Sequence, residues 1–274
     1  MPTDLPVPVV HRTLRPRKAW GQHFLIDGNI RDKILDAAQI APGSHVVEIG
    51  PGRGILTLGL LARGARVSAI EVDPRLVAAL KERPLPPSLN LIQADALRYP
   101  YAQIAGAYKV VANLPYYLST PLLFCLLAHA RAIPLMVLML QREVAARLRA
   151  RVGDADYGAL SVLLQCRADV ALLFDVARDC FRPRPKVDSS VVRITPLPGA
   201  RVEMGDEAHF ARVVKAAFAH RRKCLANSLS DAGFDREAVR TALQGLGVDP
   251  MRRGESLSLP EFARLAAALP ISEK

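Results

Sequence analysis

Val47-Glu48-Ile49-Gly50-Pro51-Gly52-Arg53-Gly54 decides how this chain is read. An apolar run of strand length enters a turn holding three glycines and leaves it as Ile55-Leu56-Thr57-Leu58, the start of a helical pattern. Glycines there let the backbone approach a ligand closely at the N-terminus of the following helix. The spacing is G-x-G-x-G. A dinucleotide fingerprint would need glycine or alanine three places after Gly52, where Ile55 stands. A tight strand-to-helix turn without any ligand uses the same eight residues, so the flanking segments must arbitrate.

Working outward, runs of strand length alternate with helical periodicity through the first two thirds of the chain. That is the pattern of a mostly parallel sheet covered by helices on both faces, an α/β class. Asp27 is placed to cap a helix carrying Ile30, Ile34, Leu35 and Ala38. Strands are expected over His45 to Ile49, Arg66 to Val72, Leu89 to Gln93, Lys109 to Ala112 and Leu135 to Leu140. Helices are expected over Gly54 to Arg63, from Pro74 onward, and over Thr120 to Ala130. Val170 to Val176 and Ser190 to Thr195 read as a closing antiparallel pair. After Pro196-Leu197-Pro198-Gly199 only helical periodicity remains, over His209 to Ala219, Leu225 to Asp231, Arg236 to Leu246 and Leu259 to Leu269. The expected organisation is a basic N-terminal segment over 1–26, a sheet domain over 27–196 and a small helical domain over 197–274.

The 274 residues include 37 Lys and Arg against 26 Asp and Glu, a formal charge of +11 and a sequence pI near 9.9. Half of the residues are hydrophobic and 23% are charged, an ordinary globular composition that excludes disorder and collagen-like structure. Cys125, Cys166, Cys180 and Cys224 form no C-x-x-C pair and have no histidines at zinc-ligand spacing, so neither a disulfide framework nor a metal is expected. The first eighteen residues hold four basic side chains but no apolar segment, which does not support a secretory signal and points to the cytoplasm; an organelle transit segment is the alternative. Pro121 to Leu140 is apolar enough to suggest a membrane span, but His129, Arg131 and Pro134 interrupt it.

The strand ends carry the chemistry. Glu71 closes the second strand, 21 residues beyond Gly50, where a carboxylate can accept hydrogen bonds from both hydroxyls of a ribose. Asp95 follows the third strand and can hold the exocyclic amine of an adenine. The fourth ends in Asn113-Leu114-Pro115-Tyr116-Tyr117. An adenine amine is a poor nucleophile because its lone pair is delocalised into the ring. Two acceptors, the Asn113 side chain and the Leu114 carbonyl, can bind its two hydrogens and favour the pyramidal nitrogen that attacks. Pro115 fixes the turn and Tyr116 offers a face on which an extruded base can stack. The leaving group of a sulfonium methyl donor is neutral, so no strong general base is obviously required.

Together with Lys18-Ala-Trp-Gly-Gln-His-Phe-Leu25 upstream, and Phe181-Arg-Pro-Arg-Pro-Lys-Val-Asp-Ser189 and Phe218-Ala-His-Arg-Arg-Lys-Cys-Leu-Ala-Asn-Ser-Leu229 downstream, these motifs resemble the ribosomal RNA adenine dimethyltransferase family. Within it the likeness is greatest to the bacterial small-subunit members. The resemblance implies a class I S-adenosylmethionine-dependent methyltransferase fold, Rossmann-like, with a small helical C-terminal domain. It also implies transfer of two methyl groups to each of two adjacent adenosines near the 3′ end of 16S rRNA. By position it places His23 and Leu25 beside the donor, Gly50 against its methionine part, Glu71 on the ribose, Asp95 on the adenine amine, and Asn113 between donor and target. Phe181 becomes the second wall of the target-base pocket. The family usually has Asn where this chain has His23, and many members have Asn where it has Tyr117.

Basic residues fall in clusters: Arg142, Arg147, Arg149 and Arg151; then Arg178, Arg182, Arg184 and Lys186; then Arg221, Arg222 and Lys223, with Lys18 near the start. Phosphate neutralisation accounts for such an excess, and RNA affinity is then expected to fall with salt by roughly 0.7 to 0.9 log units per log unit and phosphate contacted. The expected partner is 16S rRNA in the small subunit or its precursor, with the enzyme a monomer and no membrane involved. Two rivals remain, a large-subunit adenine methylase and a non-catalytic RNA-binding assembly factor. A DNA adenine methylase would share the amine chemistry.

Overall fold

The computed structural model describes residues 14–17, 21–82, 84–115, 118–220 and 222–271, which fall into two compact units. Lys18, Tyr116, Tyr117 and Arg221, all singled out above, lie outside the described residues. The first unit comprises residues up to 145 together with 169–196, and the second comprises 146–168 together with 197 onward.

The first unit is built on a seven-stranded sheet. Its parallel part consists of β2 (His45–Ile49), β3 (Arg66–Glu71), β4 (Leu89–Gln93), β5 (Lys109–Asn113) and β6 (Met136–Gln141). Two later strands, β7 (Ala168–Val176) and β9 (Ser189–Pro196), complete it in the order β4-β3-β2-β5-β6-β9-β7, with β9 antiparallel to β6. Helices α1 (Gly28–Ala37), α2 (Ile55–Ala62), α3 (Pro74–Lys81) and α4 (Ser119–Leu127) alternate with the strands. Asp27 caps α1 by accepting from the N–H groups of Asn29 and Ile30, and Asp73 caps α3 ahead of Pro74. The chain runs from β2 outward to β3 and β4, then returns to lay β5 on the other side of β2. That reversal opens a crevice at the carboxyl ends of β2 and β5, the place where open α/β sheets bind ligands.

A two-stranded ribbon was not expected from periodicity: β1 (Phe24–Leu25) pairs antiparallel with β8 (Phe181–Arg182), joining Phe24 to Arg182 and Leu25 to Phe181. It brings a segment near the N-terminus to a loop some 160 residues later.

The second unit is helical, with α6 (Ala159–Gln165), α7 (Glu207–Ala217), α8 (Leu225–Asp231), α9 (Arg236–Gly245) and α10 (Leu259–Ala268) around Phe210, Val214, Leu229, Leu243 and Phe262. Helix α5 (Arg142–Arg149) carries the chain from one unit into the other. The expected division assigned 27–196 to a single domain, whereas 146–168 belongs to the helical unit because Val162 and Cys166 join its core. Gly254 shows how closely that core is packed. A Cβ there would stand 2.5 Å from the Ala217 carbonyl oxygen, a backbone atom that cannot swing away. Gly254→Ala is expected to destabilise this unit by about 1–3 kcal/mol through overpacking, read as a lower urea midpoint; an unchanged midpoint would contradict the close approach.

Candidate active site

The carboxyl ends of the four parallel strands β2 to β5 converge on a cavity of about 360 Å³ within the first unit. Gly50 and Gly52 line it after β2, Glu71 ends β3, Asp95 follows β4, and Asn113 ends β5. Gly50, Glu71, Asp95 and Asn113, the four strand-end residues expected at the donor, therefore line one space. Gly50 and Gly52 have φ of 69° and 56°, left-handed values that ordinary side chains resist. At Gly52 a Cβ would also lie 3.0 Å from the Phe24 ring, so glycine is needed twice over.

Glu71 is nine-tenths buried and both its oxygens are anchored to backbone. Oε2 accepts from the Gly52 N–H at 3.2 Å and Oε1 from the Asp73 N–H at 2.9 Å. Burial pushes its carboxyl up, while those amides pull it back. Each oxygen has a lone pair left for a hydroxyl. Asp95 is more open. Its Oδ1 accepts the Leu97 N–H at 2.9 Å, and Arg98 stands 4.0 Å from Oδ2.

Asn113 is the most informative side chain. Its Nδ2 donates to the main-chain carbonyl of His23 at 3.1 Å. A carbonyl only accepts, so nitrogen must occupy that side of the carboxamide, and Oδ1 is the atom left to face a ligand. The turn beyond is held by the Leu114 N–H donating to Met139 O at 3.1 Å, and by the Pro115 carbonyl accepting from the Leu118 N–H at 3.0 Å. Leu114 and Pro115 both line the cavity.

The β1–β8 ribbon forms another wall. His23, Phe24 and Phe181 line the cavity, and Phe181 is 1% exposed. Leu25 does not line it. It sits opposite Phe181 in the ribbon and its side chain is buried in the hydrophobic core. Its neighbours Phe24 and Gln22 do line the cavity. Gln22 donates to Asp73 Oδ2 at 3.0 Å and accepts from the Arg17 N–H at 2.8 Å, and Arg75 reaches the Arg15 carbonyl at 3.3 Å. Burial opposes ionisation of Asp73, but the Arg75 guanidinium and the Gln22 amide outweigh it and hold the carboxyl at about 2. The stretch Gly21-Gln22-His23-Phe24 held this signal in sequence, but two-residue strands show no periodicity by which to choose among its residues.

The described basic residues fall in both units. Arg184 and Lys186 lie on the exposed loop after β8, where Arg184 pairs with Asp179 at 2.9 Å. In the helical unit, Arg147 and Lys223 line a second cavity with His220 and Arg253, and Lys223 pairs with Asp231 at 2.6 Å. Arg222 is exposed nearby in sequence. Among the described residues no three His, Cys, Asp or Glu side chains converge as a metal site, and no helix is long and apolar enough to cross a membrane.

A mostly parallel sheet with a glycine turn, acids at the end of β3 and just after β4, and a strand-end Asn-Leu-Pro defines a Rossmann-like class I methyltransferase. Its likeness to solved structures of that class is direct: a dimethyladenosine transferase from Plasmodium falciparum superposes with a TM-score of 0.75 at 28% identity, covering 89% of this chain and 96% of that one. The 23S rRNA methyltransferase ErmE gives 0.65 at 27% identity, over 90% and 99%. Residues 13–269 match the ribosomal RNA adenine dimethylase family, and the chain belongs to it. Among its relatives, the ribosomal RNA small subunit methyltransferase A of Moorella thermoacetica is 45% identical over 95% of each chain. That of Pelotomaculum thermopropionicum is 47% identical over 92% of this chain and 91% of the other. The chain is thus an enzyme, an rRNA adenine dimethyltransferase.

Proposed function

We propose that the enzyme dimethylates two adjacent adenosines near the 3′ end of 16S rRNA, acting as a monomer in the cytoplasm on a small subunit or its precursor. The observation that carries the reaction is the Asn113 carboxamide, turned by the His23 carbonyl so that an oxygen faces the cavity. The small-subunit assignment is supported by relatives of 45% and 47% identity that bear that name, against 27% for the 23S enzyme.

S-adenosylmethionine is the implied donor, and the residues fit it: the cavity has the volume of a small-molecule site, and Glu71 keeps lone pairs beside a glycine turn. When bound, it supplies an electrophilic methyl group on a sulfonium that departs as a neutral thioether. Glu71 would hold the ribose hydroxyls, Asp95 the adenine amine, and Gly50 would admit the methionine part. On the target side, Asn113 Oδ1 and the Leu114 carbonyl would each accept one hydrogen of the amine and concentrate the lone pair on nitrogen. Phe181 and Tyr116 would enclose the extruded base. Lys18, Arg147, Arg184, Lys186, Arg221, Arg222 and Lys223 would meet RNA phosphates.

Glu71→Gln is expected to weaken donor binding about 10- to 100-fold, the value of a charged hydrogen bond. An amide cannot accept at both ends, so one of the Gly52 and Asp73 N–H groups would face an NH2. Because hydroxyls donate to the ionised form, wild-type affinity should also fall on acidification, beginning at a higher pH than an ordinary carboxylate would give. Calorimetric titration with S-adenosylmethionine across pH reads both effects; a pH-independent constant in both proteins would remove Glu71 from the donor site.

The proposal itself is tested by transfer of labelled methyl from S-adenosylmethionine into unmodified small subunits, with large subunits and duplex DNA as controls. Dimethyladenosine at two adjacent positions in 16S rRNA alone is the expected product. Label confined to the large subunit would overturn the substrate, and label in neither would favour a non-catalytic assembly role.

A further inference from the structure

His23 stands where three parts of the first unit meet. Its Nδ1 lies 2.8 Å from the carbonyl oxygen of Pro183, just beyond β8. A carbonyl cannot donate, so Nδ1 carries the proton and the imidazole donates. Its own main-chain carbonyl accepts the Asn113 carboxamide at 3.1 Å. The next residues, Phe24 and Leu25, pair with Arg182 and Phe181, and the Ile26 N–H donates to Cys180 O at 2.9 Å. The ribbon thus carries backbone bonds along its length, and at its open end the imidazole replaces them with a side-chain bond.

We propose that His23 is a positioning residue for the transfer step. The imidazole pins the loop that carries Phe181, fixing the His23 main chain relative to it. The His23 carbonyl in turn sets the plane of the Asn113 carboxamide. The consequence lies in orientation rather than in proton transfer: with the carbonyl displaced, the Asn113 carboxamide loses the acceptor that holds its nitrogen, and its oxygen and nitrogen become interchangeable toward the cavity. Half of the resulting orientations would present NH2 to an amine that needs an acceptor. The role rests on the reading of Asn113 as the acceptor of the target amine.

The geometry also names the substitute. In asparagine the side-chain nitrogen can take the place of Nδ1 and donate to the same carbonyl, whereas phenylalanine keeps the ring and offers no donor. His23→Phe and His23→Ala are expected to lower kcat about tenfold, with donor affinity measured by calorimetry, and thermal midpoint, close to wild type. His23→Asn should restore kcat to within about twofold, with a pH profile that overlays the wild type. A profile that loses a limb in His23→Asn would mean acid–base chemistry and overturn the positioning role. Equal kcat in His23→Phe, His23→Ala and wild type would overturn it as well, and so would a loss that His23→Asn fails to repair. Asn113→Ala run in parallel separates the two readings. If it transfers methyl at the wild-type rate, the assignment of Asn113 falls. If it is inactive while His23→Phe keeps the wild-type kcat, only the role of His23 falls.

Discussion

Asn113→Ala is expected to lower the rate of methyl transfer about a thousandfold while leaving S-adenosylmethionine affinity within a few fold. The magnitude follows from losing one preorganised hydrogen-bonding group at the reacting atom, which typically costs 10²–10³ in rate. It is raised here because an adenine amine is a weak nucleophile and Asn113 is one of only two acceptors assigned to it. On the proposed reading the donor would be held mainly through Glu71 at the end of β3 and Asp95 after β4, which alanine at 113 leaves in place. Asn113→Asp sharpens the test. It keeps the shape and supplies oxygens, but one of them would face the His23 carbonyl at a distance that now repels. It should therefore lose most activity although it has acceptors in excess. Single-turnover methylation with saturating donor reads the chemical step. A rate for Asn113→Ala within tenfold of wild type would mean that the amine is activated elsewhere.

Much of this site is legible in the sequence because its residues sit at strand ends. The hydrophobic run of β2, its glycines and the acids after β3 and β4 announce themselves by spacing, and each is placed within one or two residues of where the structure has it. What is not legible is whatever depends on distant pairing. The ribbon of Phe24–Leu25 with Phe181–Arg182 is two residues long on each side and has no period to detect. Its consequences, Leu25 in the core and Phe24 on the cavity, follow from that pairing alone. Helix α5 hides behind its charge: Arg142, Arg147 and Arg149 mark a basic cluster as readily as an amphipathic helix. The transfer of 146–168 to the helical unit depends on which core Val162 and Cys166 enter, and apolar residues do not name their partners. Glu48 is hidden for the opposite reason, since a carboxylate inside a strand reads as a solvent-facing residue.

The structure places Glu48 in the middle of β2, paired with Ala69 on β3 and Val111 on β5, and leaves it 1% exposed. Neither carboxylate oxygen has a hydrogen-bond partner among the described residues. Burial pushes its carboxyl up to about 8, and the negative Glu71 adds to the shift while Thr57 offsets part of it. A raised pKa fixes the sign of the pH dependence. Below about pH 4.5, the group's ordinary value, native and unfolded chains are both protonated and Glu48 exacts no ionisation cost. Between there and about pH 8 the unfolded chain ionises while the native one keeps its proton, so stability falls as pH rises. At pH 7 the loss is about 3 kcal/mol. Glu48→Gln removes the titrating group at nearly constant volume. Its thermal midpoint should match wild type near pH 4 and exceed it by roughly 9–17 °C near pH 8, where the loss reaches about 4 kcal/mol, at about 2–4 °C per kcal/mol for a protein of this size. A difference independent of pH would show that Glu48 is ionised in the native protein. Glu48 is not part of the cavity wall, so donor affinity should stay within twofold at every pH. The strand that delivers the glycine turn then carries a neutral acid at pH 7.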